Sequence, residues 1–352
     1  MRNKTITIIQ IAATYMGTVV GAGFASGLSI MQFFTIFGAY GIFGILVSTF
    51  LFIWLGTKMM IMSHRLKAFS YQELNTYLFG RQFGKVANGV SFVILFGVTS
   101  VMLSGAGSIF QEQMGLSEQW GMIISLVLIY LVLTQQLKGI LAINTLVVPM
   151  MLFFSIIIGI TYFSMDELYR TSEWQMEQVG QLEWIISPFA YAALNFATLQ
   201  AVLVPLGSEI KDERLLTWGG IWGGIGIGLM LFTSHFSMNS LMPGIMKFNI
   251  PMAEVIREFG PYMHLLFILV IYGEIFTTLI GNVFGMSRQI QSIYPTLPSN
   301  LLVATILLAC FVISQMSYSF LLSFLYTLFG YVGLFLLIFL AVKRTPGFKS
   351  RK

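Results

Sequence analysis

The sequence predicts an all-α polytopic membrane protein with about ten transmembrane helices, and three observations support this fold class. The 352 residues are 57% hydrophobic and only 9% charged, more apolar than a soluble core of this length can bury. Apolar stretches of about 20 residues, the length that crosses a bilayer, recur along the whole chain. The polar breaks between them are too short for a soluble domain. We therefore expect a single transmembrane domain over residues 1–352.

We number the apolar stretches as segments 1 to 10, at residues 7–37, 40–63, 85–110, 120–138, 140–164, 184–208, 216–240, 262–287, 299–316 and 318–342. Arg2 and Lys4 precede segment 1 as in a secretory signal peptide, but the apolar run continues well past a normal signal core. We therefore expect segment 1 to be retained as the first helix. The single cysteine, Cys310, can form no intrachain disulfide and has no metal-site spacing.

The basic residues predict the orientation, because cytoplasmic loops of membrane proteins collect Lys and Arg. With the N-terminus in the cytoplasm, ten spans place every Lys and Arg on the cytoplasmic side except Arg170, Lys247 and Arg257. This predicts a multi-pass protein of the cell membrane with both termini cytoplasmic and a basic tail at residues 343–352. The net charge of +5 is scattered rather than gathered in a patch, so nucleic acid is not an expected partner.

Ten helices divide into two halves of five with opposite orientation in the membrane, which is the topology of an inverted repeat. The halves would cover residues 7–164 and 184–342. This repeat is predicted from topology alone, because the halves share no evident sequence identity. In such proteins the binding site is indicated by interrupted helices at corresponding positions, which here are segments 1 and 6.

Both of these segments contain weak helix. Segment 1 holds four closely spaced glycines, and each weakens a helix by about 1 kcal/mol relative to alanine. They are Gly17, Gly21, Gly23 and Gly27. Segment 6 contains Asn195 near its middle and Pro205 near its end, so we expect unwinding near residues 20–25 and 192–195 around a polar cavity. The alternative is that the glycines form a small-residue face for close helix packing.

Segment 8 carries an ionisable residue in its middle, Glu274, followed by Thr277, Thr278 and Asn282 on the same helical face. A charged side chain at mid-bilayer costs on the order of 3 kcal/mol, so it normally faces a partner, a cation or a proton path. We expect this face to bind a cation or to carry a proton. The alternative is a protonated Glu274 that is hydrogen-bonded to a neighbouring helix.

Other side chains are candidates for the wall of the cavity. Ser100 and Ser104 of segment 3 could line it, although serine also bonds neighbouring membrane helices. Aromatic residues beside the two expected breaks could form gates or an apolar pocket, and simple packing is the alternative. They are Phe33, Phe34, Phe189 and Tyr191.

Three stretches, GTVVGAGFASG, QFF and SPFAYAALNFATLQAVLVPLGSEIKDER, resemble the YkvI-type group of amino acid permeases in the amino acid/polyamine/organocation superfamily. The resemblance covers essentially the whole chain. It implies the LeuT-type fold, a five-plus-five inverted repeat with broken helices 1 and 6. The end of segment 6 matches the permeases at Glu209 and Lys211, where an acidic residue leads into a basic cytoplasmic loop.

Sodium symporters of the same fold extend the resemblance to individual residues. It implies a sodium site formed by the carbonyls of Gly17 and Val20 with the hydroxyls of Thr277 and Thr278. Glu274 falls where those symporters supply a backbone carbonyl, so its carboxylate is an addition that strengthens cation binding or couples transport to protons.

The resemblance also implies that the backbone N–H groups of Ala22 and Gly23 receive a substrate carboxylate. The predicted substrate-binding set is Gly21, Ala22, Gly23, Phe24, Ser100, Ser104, Tyr191 and Asn195. Two positions depart from the symporters, since the Asn of their other sodium site is Phe24 here and the Arg of their outer gate is Gly27. We therefore expect at most one cation site.

Together these features predict a secondary active transporter of an amino acid or a similar small organic solute, coupled to Na⁺ or H⁺ and working by alternating access. The expected partners are the substrate and the lipid bilayer, with the coupling ion and no cofactor. A small-molecule receptor of the same fold that does not transport is the alternative. An enzyme is not expected, because the spans contain no His/Asp pair, Cys/His pair or His-x-x-x-His spacing. Nothing in the sequence selects an oligomeric state.

Overall fold

A computed structural model describes residues 2–135, 137–162, 183–248, 250–257, 259–316 and 318–347. Within these ranges the chain is almost entirely helical, and each predicted segment coincides with one or more helices. Arg170 and the last five residues of the predicted basic tail, 348–352, lie outside the described residues.

The α-helices are numbered here in chain order. They are α1 (Arg2–Val19), α2 (Ala22–Ala25), α3 (Leu28–Phe33), α4 (Ala39–Leu51), α5 (Thr57–Leu66), α6 (Tyr71–Phe79), α7 (Arg81–Met114), α8 (Glu118–Leu133), α9 (Leu137–Tyr162), α10 (Glu183–Glu209), α11 (Glu213–Ser240), α12 (Pro251–Arg257), α13 (Pro261–Ile293), α14 (Ser299–Ile313) and α15 (Tyr318–Val342). A π-helical turn, Phe52–Gly56, joins α4 to α5, and 3-10 turns occupy Thr35–Phe37 and Gly244–Lys247.

Several helices have the length and composition of membrane spans. Among the described residues six meet both criteria, namely Ala39–Leu66, Arg81–Gln111, Ile140–Thr161, Glu183–Glu209, Glu213–Ser240 and Pro261–Ile293. Shorter apolar helices include Glu118–Leu133 and Ser299–Ile313. The number of ten spans and the inverted repeat therefore remain predictions.

Segment 1 is interrupted, which confirms the first expected break. Helix α1 ends at Val19, Val20 and Gly21 are not helical, and the chain resumes as the four-residue α2. A second interruption follows at Ser26 and Gly27, where Gly27 has a φ of 84°. That left-handed conformation favours glycine, so Gly27 allows α3 to start in a new direction.

Segment 6 is not interrupted, and the prediction of a break near residues 192–195 is wrong. Helix α10 runs without a gap from Glu183 to Glu209. The local sequence Ala192, Ala193, Leu194 consists of strong helix formers. The amide of Asn195 donates to the carbonyl of Tyr191 one turn earlier, at 2.8 Å, so this side chain bonds its own helix and does not displace the backbone ladder.

Helix α10 forms the centre of the bundle. Its residues from Ser187 to Gly207 are buried with the exception of Phe189, and it packs against α4, α5, α13 and α15. Helix α1 lies beside it and packs against α9 and α11. Other helices therefore enclose both of the helices in which a break is expected. Unpaired backbone groups and polar side chains at membrane depth need such enclosure.

Glycines on α11 bring that helix close to its neighbours. A Cβ at Gly223 would lie 2.6 Å from the ring of Tyr15 on α1, and one at Gly224 would lie 2.6 Å from Ile53 in the π-helical turn. The hydroxyl of Tyr15 donates to the carbonyl of Phe52 at 2.7 Å. This bond satisfies a carbonyl at the start of the π-helical turn, where the regular ladder is disturbed.

Candidate functional site

The break in segment 1 is held against two other helices. The amide of Gly21 donates back to the carbonyl of Val19 at 2.9 Å, and the amide of Ala25 donates to the carbonyl of Gly21 at 2.8 Å. A Cβ on Gly21 would lie 2.7 Å from the terminal methyl of Met102 on α7 and 3.4 Å from the hydroxyl of Thr278 on α13. The glycine thus permits both the unwinding and the close approach of α7 and α13.

Two threonine hydroxyls of α13 meet the last carbonyls of α1. The Thr277 hydroxyl lies 3.0 Å from the carbonyl oxygen of Gly17, and the Thr278 hydroxyl lies 3.2 Å from that of Val20 and 3.4 Å from that of Gly17. Both hydroxyls also lie within 3.2 Å of the Glu274 carbonyl oxygen. Five oxygen atoms therefore converge here, but only two carry a proton to donate.

Gly17 also allows a side chain of α9 to approach the same place. A Cβ on Gly17 would overlap the side-chain oxygen of Asn144 and would lie 3.0 Å from a methyl of Val148. Asn144 is buried and donates its amide to the carbonyl of Ile140 at 2.9 Å, whereas its side-chain oxygen has no hydrogen-bond partner in the described part of the chain. The side-chain oxygen of Asn144 therefore adds one more acceptor around Gly17, where acceptors already outnumber donors.

Glu274 and Asn282 lie on α13 on either side of Thr278, one turn away in each direction. Both side chains are fully buried. Neither the carboxylate of Glu274 nor the amide of Asn282 has a hydrogen-bond partner among the described residues. The alternative was a Glu274 that is hydrogen-bonded to a neighbouring helix. Among the described residues it has no such hydrogen bond. An unpartnered polar group in a buried site is costly, which favours a role in binding an ion or a proton.

A small cavity of about 30 Å³ lies beside the break. It is lined from segment 1 by Thr18, Val19, Gly21, Phe24 and Ser29, from α7 by Val98 and Met102, from α10 by Tyr191, Leu194, Asn195 and Thr198, and from α13 by Thr278. This volume holds a few water molecules at most. Entry of an organic solute therefore requires the walls to move apart.

The structure brings most of the predicted residues together. Gly21, Phe24, Tyr191 and Asn195 line the cavity, and Thr278 joins it to the oxygen cluster at Gly17, Val20 and Thr277. The remaining predicted substrate-binding residues of segment 1, Ala22 and Gly23, form the first turn of α2, where backbone N–H groups have no acceptor within the helix.

Ser100 and Ser104 are not brought to this cavity, which corrects their assignment to its wall. The hydroxyl of Ser100 donates to the carbonyl of Phe96 at 2.9 Å, and that of Ser104 donates to the carbonyl of Met316 at 3.1 Å. The face of α7 that lines the cavity is instead the apolar one with Val98 and Met102. Apolar side chains on a long apolar helix give no signal in the sequence that separates cavity from core.

Three polar lining residues escaped sequence reasoning, namely Thr18, Ser29 and Thr198. Thr18 and Ser29 flank the break, and Thr198 lies one turn after Asn195 on the same face of α10. Their position relative to the predicted break is a signal that could have identified them.

Aromatic rings surround Tyr191 next to the cavity. The ring centroids of Phe33, Phe34 and Phe52 lie 5.5, 4.9 and 6.1 Å from that of Tyr191. Phe189, the fourth predicted gate residue, is 39% exposed and is not part of this cluster. The cluster joins segment 1 to α10, so any movement of α3 relative to α10 must rearrange it.

The whole bundle, with its broken first helix and the hydroxyls of another span on the free carbonyls, has the LeuT-type fold. The solved structures to which the chain is similar include the following two. A Na⁺-coupled sialic acid symporter in a substrate-bound, outward-open state matches with a TM-score of 0.71 at 12% identity, over 96% of this chain and 79% of its own. MhsT in complex with L-phenylalanine matches with a TM-score of 0.69 at 14% identity, over 95% of this chain and 88% of its own.

The chain belongs to the family of YkvI, an uncharacterized membrane protein of Bacillus subtilis (strain 168). The two are 42% identical over 341 residues, which cover 97% of each chain. This confirms the resemblance to YkvI and shows that the chain is a membrane protein, whereas the amino acid permease activity stays a prediction. No family model matches the chain. The structural likenesses, at 12% and 14% identity, show the fold alone.

Proposed function

We propose that the protein is a secondary active transporter that couples the movement of a cation to that of an amino acid or a similar small organic solute. The observation that carries this proposal is the convergence of the Gly17 and Val20 carbonyls with the Thr277 and Thr278 hydroxyls beside a polar cavity. Carbonyl and hydroxyl oxygens are the ligands that hard cations prefer. A cation at this point would touch both the break and the cavity, and its arrival would therefore affect solute binding.

Na⁺ is the coupling ion that the oxygen cluster favours. The two hydroxyls can each donate one proton, which leaves acceptor lone pairs on all three carbonyls and on the side-chain oxygen of Asn144. A cation would take up these lone pairs without requiring any proton to move. The solved structure of a Na⁺-coupled symporter with the same fold supports this preference.

Glu274 provides the charge that would make the site responsive to the coupling ion. Its carboxylate is fully buried and unpartnered in the described chain, one turn from Thr277 and Thr278. When ionised it would strengthen the attraction for Na⁺, and when protonated it would remove that attraction. We propose that cation binding and protonation compete at this residue.

The substrate class follows from the chemistry next to the break. N–H groups of Ala22 and Gly23 at the first turn of α2 would receive a carboxylate, and the amide of Asn195 with the hydroxyls of Thr18 and Thr198 would offer further polar contacts. The apolar part of the wall, with Val98, Met102 and the Tyr191 ring, suits a hydrophobic side chain. MhsT, which is bound to L-phenylalanine in its solved structure, supports an amino acid as the solute.

Alternating access requires that the path to one side of the membrane closes while the other opens. At the end of the bundle where α6 lies, a buried polar cluster joins several helices, and we propose that it closes the path from the cavity on that side. Asn75 of α6 donates to Asn88 and Ser91 of α7 at 3.0 and 3.3 Å, and Gln200 of α10 donates to Ser91 at 2.8 Å. Tyr71 of α6 donates to Gln289 of α13. These bonds join helices without covalent constraint, so they can part when the helices move.

The proposal is tested by uptake into liposomes that contain the purified protein. Radiolabelled amino acids are offered under an inward Na⁺ gradient, under a proton gradient and under neither, for the wild type, Thr278→Ala and Glu274→Gln. Thr305→Ala is the matched control, because Thr305 is exposed on α14 and donates to the carbonyl of Leu301 on its own helix.

We expect a solute to accumulate only when the Na⁺ gradient is present. This accumulation should be lost in Thr278→Ala and kept in Thr305→Ala. Glu274→Gln is expected to lower the apparent Na⁺ affinity and to remove its dependence on pH. Unchanged Na⁺-dependent uptake in Thr278→Ala would remove the proposed cation site. If a solute binds but does not accumulate under either gradient, the transport proposal is wrong and the receptor function takes its place.

A further inference from the structure

A groove of about 460 Å³ lies away from the transport cavity, where α5 begins and α15 ends. One wall is formed by Trp54 of the π-helical turn and by Thr57, Lys58 and Ile61 of α5. The other wall is formed by the residues Val342, Lys343, Arg344 and Thr345. Three basic side chains, Lys58, Lys343 and Arg344, thus face one space.

The basic side chains are held around this groove by contacts with the chain itself. The ammonium of Lys58 donates to the carbonyl of Ala341 at 2.8 Å and lies 5.7 Å from the ring of Trp54. The ammonium of Lys343 lies 5.3 Å from the ring of Tyr77, whose hydroxyl donates to the carbonyl of Arg344 at 2.9 Å. The end of α15 is therefore fixed against α5 and α6, which gives the groove a defined shape.

No carboxylate in the described part of the chain pairs with these three cations. Of the acidic residues at the same end of the bundle, three pair with other bases, and Glu73 accepts hydrogen bonds from Ser70 at the start of α6. Glu213 pairs with Arg65 at 2.6 Å, Glu209 with Arg288 at 3.1 Å and Asp212 with Lys4 at 3.7 Å. The groove keeps an uncompensated positive charge, and an anion bound there would offset the mutual repulsion of its bases.

Exposed apolar side chains adjoin the groove. Trp54 is 43% exposed, Phe339 41% and Val342 78%, and Phe50 at the end of α4, whose ring lies 5.8 Å from that of Trp54, is 62% exposed. In a membrane protein such side chains contact acyl chains, and tryptophan with lysine or arginine is typical of the level of the lipid headgroups. The groove therefore opens towards lipid at headgroup depth.

We propose that this groove binds the phosphate headgroup of an anionic phospholipid, with Lys58, Lys343 and Arg344 around the phosphate oxygens. The acyl chains would lie along Phe50 and Phe339. Basic pockets between transmembrane helices bind anionic headgroups in this way. A bound lipid would join the start of α5 to the end of α15 and so stabilise the folded bundle.

The test uses the purified full-length protein in detergent, with thermal unfolding followed as lipid is added. Phosphatidylglycerol is compared with phosphatidylcholine of the same acyl chains, and glycerol 3-phosphate serves as the free phosphate. The groove variant is Lys343→Gln/Arg344→Gln. The matched control, Arg81→Gln/Lys85→Gln, removes two exposed charges at the start of α7.

We expect phosphatidylglycerol, but not phosphatidylcholine, to raise the melting temperature of the wild type and the control variant. The groove variant should need at least tenfold more phosphatidylglycerol for half of that rise, because two near-surface charges are lost. A second variant, Lys58→Gln, should also weaken the response. Equal responses to the two lipids, or equal responses of the groove and control variants, would overturn the proposal. A full response to glycerol 3-phosphate would assign the groove to a soluble phosphate and would overturn it as a lipid site.

Discussion

Segments 1 and 6 occupy corresponding positions in the two predicted halves of the chain and both line the same cavity, yet they differ in backbone structure. Segment 1 divides into α1, α2 and α3, whereas segment 6 is the single helix α10. The unwound residues of segment 1 are Val20 and Gly21, while the matching part of segment 6 reads Ala192, Ala193, Leu194. Glycine removes the preference for helix that alanine and leucine supply.

The difference also concerns where the polar side chains find their partners. In segment 1 the free carbonyls of Gly17 and Val20 are met by hydroxyls from another helix, α13. In segment 6 the side chains of Asn195 and Thr198 bond carbonyls of their own helix, at 2.8 and 2.9 Å. A helix therefore opens where a neighbour can take over its backbone groups, and a polar residue in mid-membrane is not by itself a sign of a break.

The largest effect is expected from filling the space at Gly17. In Gly17→Ala the new Cβ overlaps the side chain of Asn144, so overpacking should destabilise the protein by about 1–3 kcal/mol and abolish cation-dependent stabilisation. Thermal unfolding with and without Na⁺ measures both. The double variant Gly17→Ala/Asn144→Ala removes the overlapping group and should recover much of the stability. A double variant as unstable as the sum of the single changes would contradict this account.

Removal of the hydroxyl that contacts the break should have the next largest effect. Thr278→Val keeps the shape of the side chain but leaves the carbonyl of Val20 without its hydroxyl partner. We expect the Na⁺ concentration for half-maximal stabilisation to rise at least about tenfold, the equivalent of about 1.4 kcal/mol. Thr198→Val on α10 is the matched control, because Thr198 lines the same cavity but donates to the carbonyl of Asn195 on its own helix. Equal losses in the two variants would mean that the break has no special relation to the cation.

A smaller effect is expected at Asn195. Its amide bonds the carbonyl of Tyr191, which belongs to the same helix. Asn195→Ala should therefore leave α10 helical and cost about 1 kcal/mol, the usual value of one hydrogen bond. Far-UV circular dichroism and thermal unfolding check these two statements. A marked loss of helix would show that Asn195 holds the backbone of segment 6 together, contrary to the structure.

The smallest effect is expected at Ser100. Its hydroxyl bonds the carbonyl of Phe96 on its own helix and is absent from the cavity wall. Ser100→Ala should change the stability by well under 1 kcal/mol, because such bonds contribute little to a membrane helix. Solute affinity, measured by the same unfolding assay with a panel of amino acids, should be unchanged. A reduced affinity would restore Ser100 to the substrate site.

Much of the site could be predicted because its residues are unusual for a membrane span. Glycines clustered at one depth, a lone Glu274 and the pair Thr277 and Thr278 each stand out against an apolar background. The wall formed by Val98 and Met102 could not be predicted, because valine and methionine are ordinary residues of an apolar segment. Ser100 and Ser104 were misleading since serine bonds its own helix or a neighbour equally well.

The sequence by itself determined that the chain is a membrane protein of the YkvI family, that segment 1 is weak helix and that ionisable chemistry lies on segment 8. The family follows from sequence similarity, and the other properties follow from composition and from the helical repeat, which act locally along the chain. Only the tertiary structure decided that Asn144 reaches Gly17 and that Lys58, Lys343 and Arg344 share a groove. Each of these depends on which helices are neighbours, and packing between distant parts of a chain is not encoded in the periodicity of any one segment.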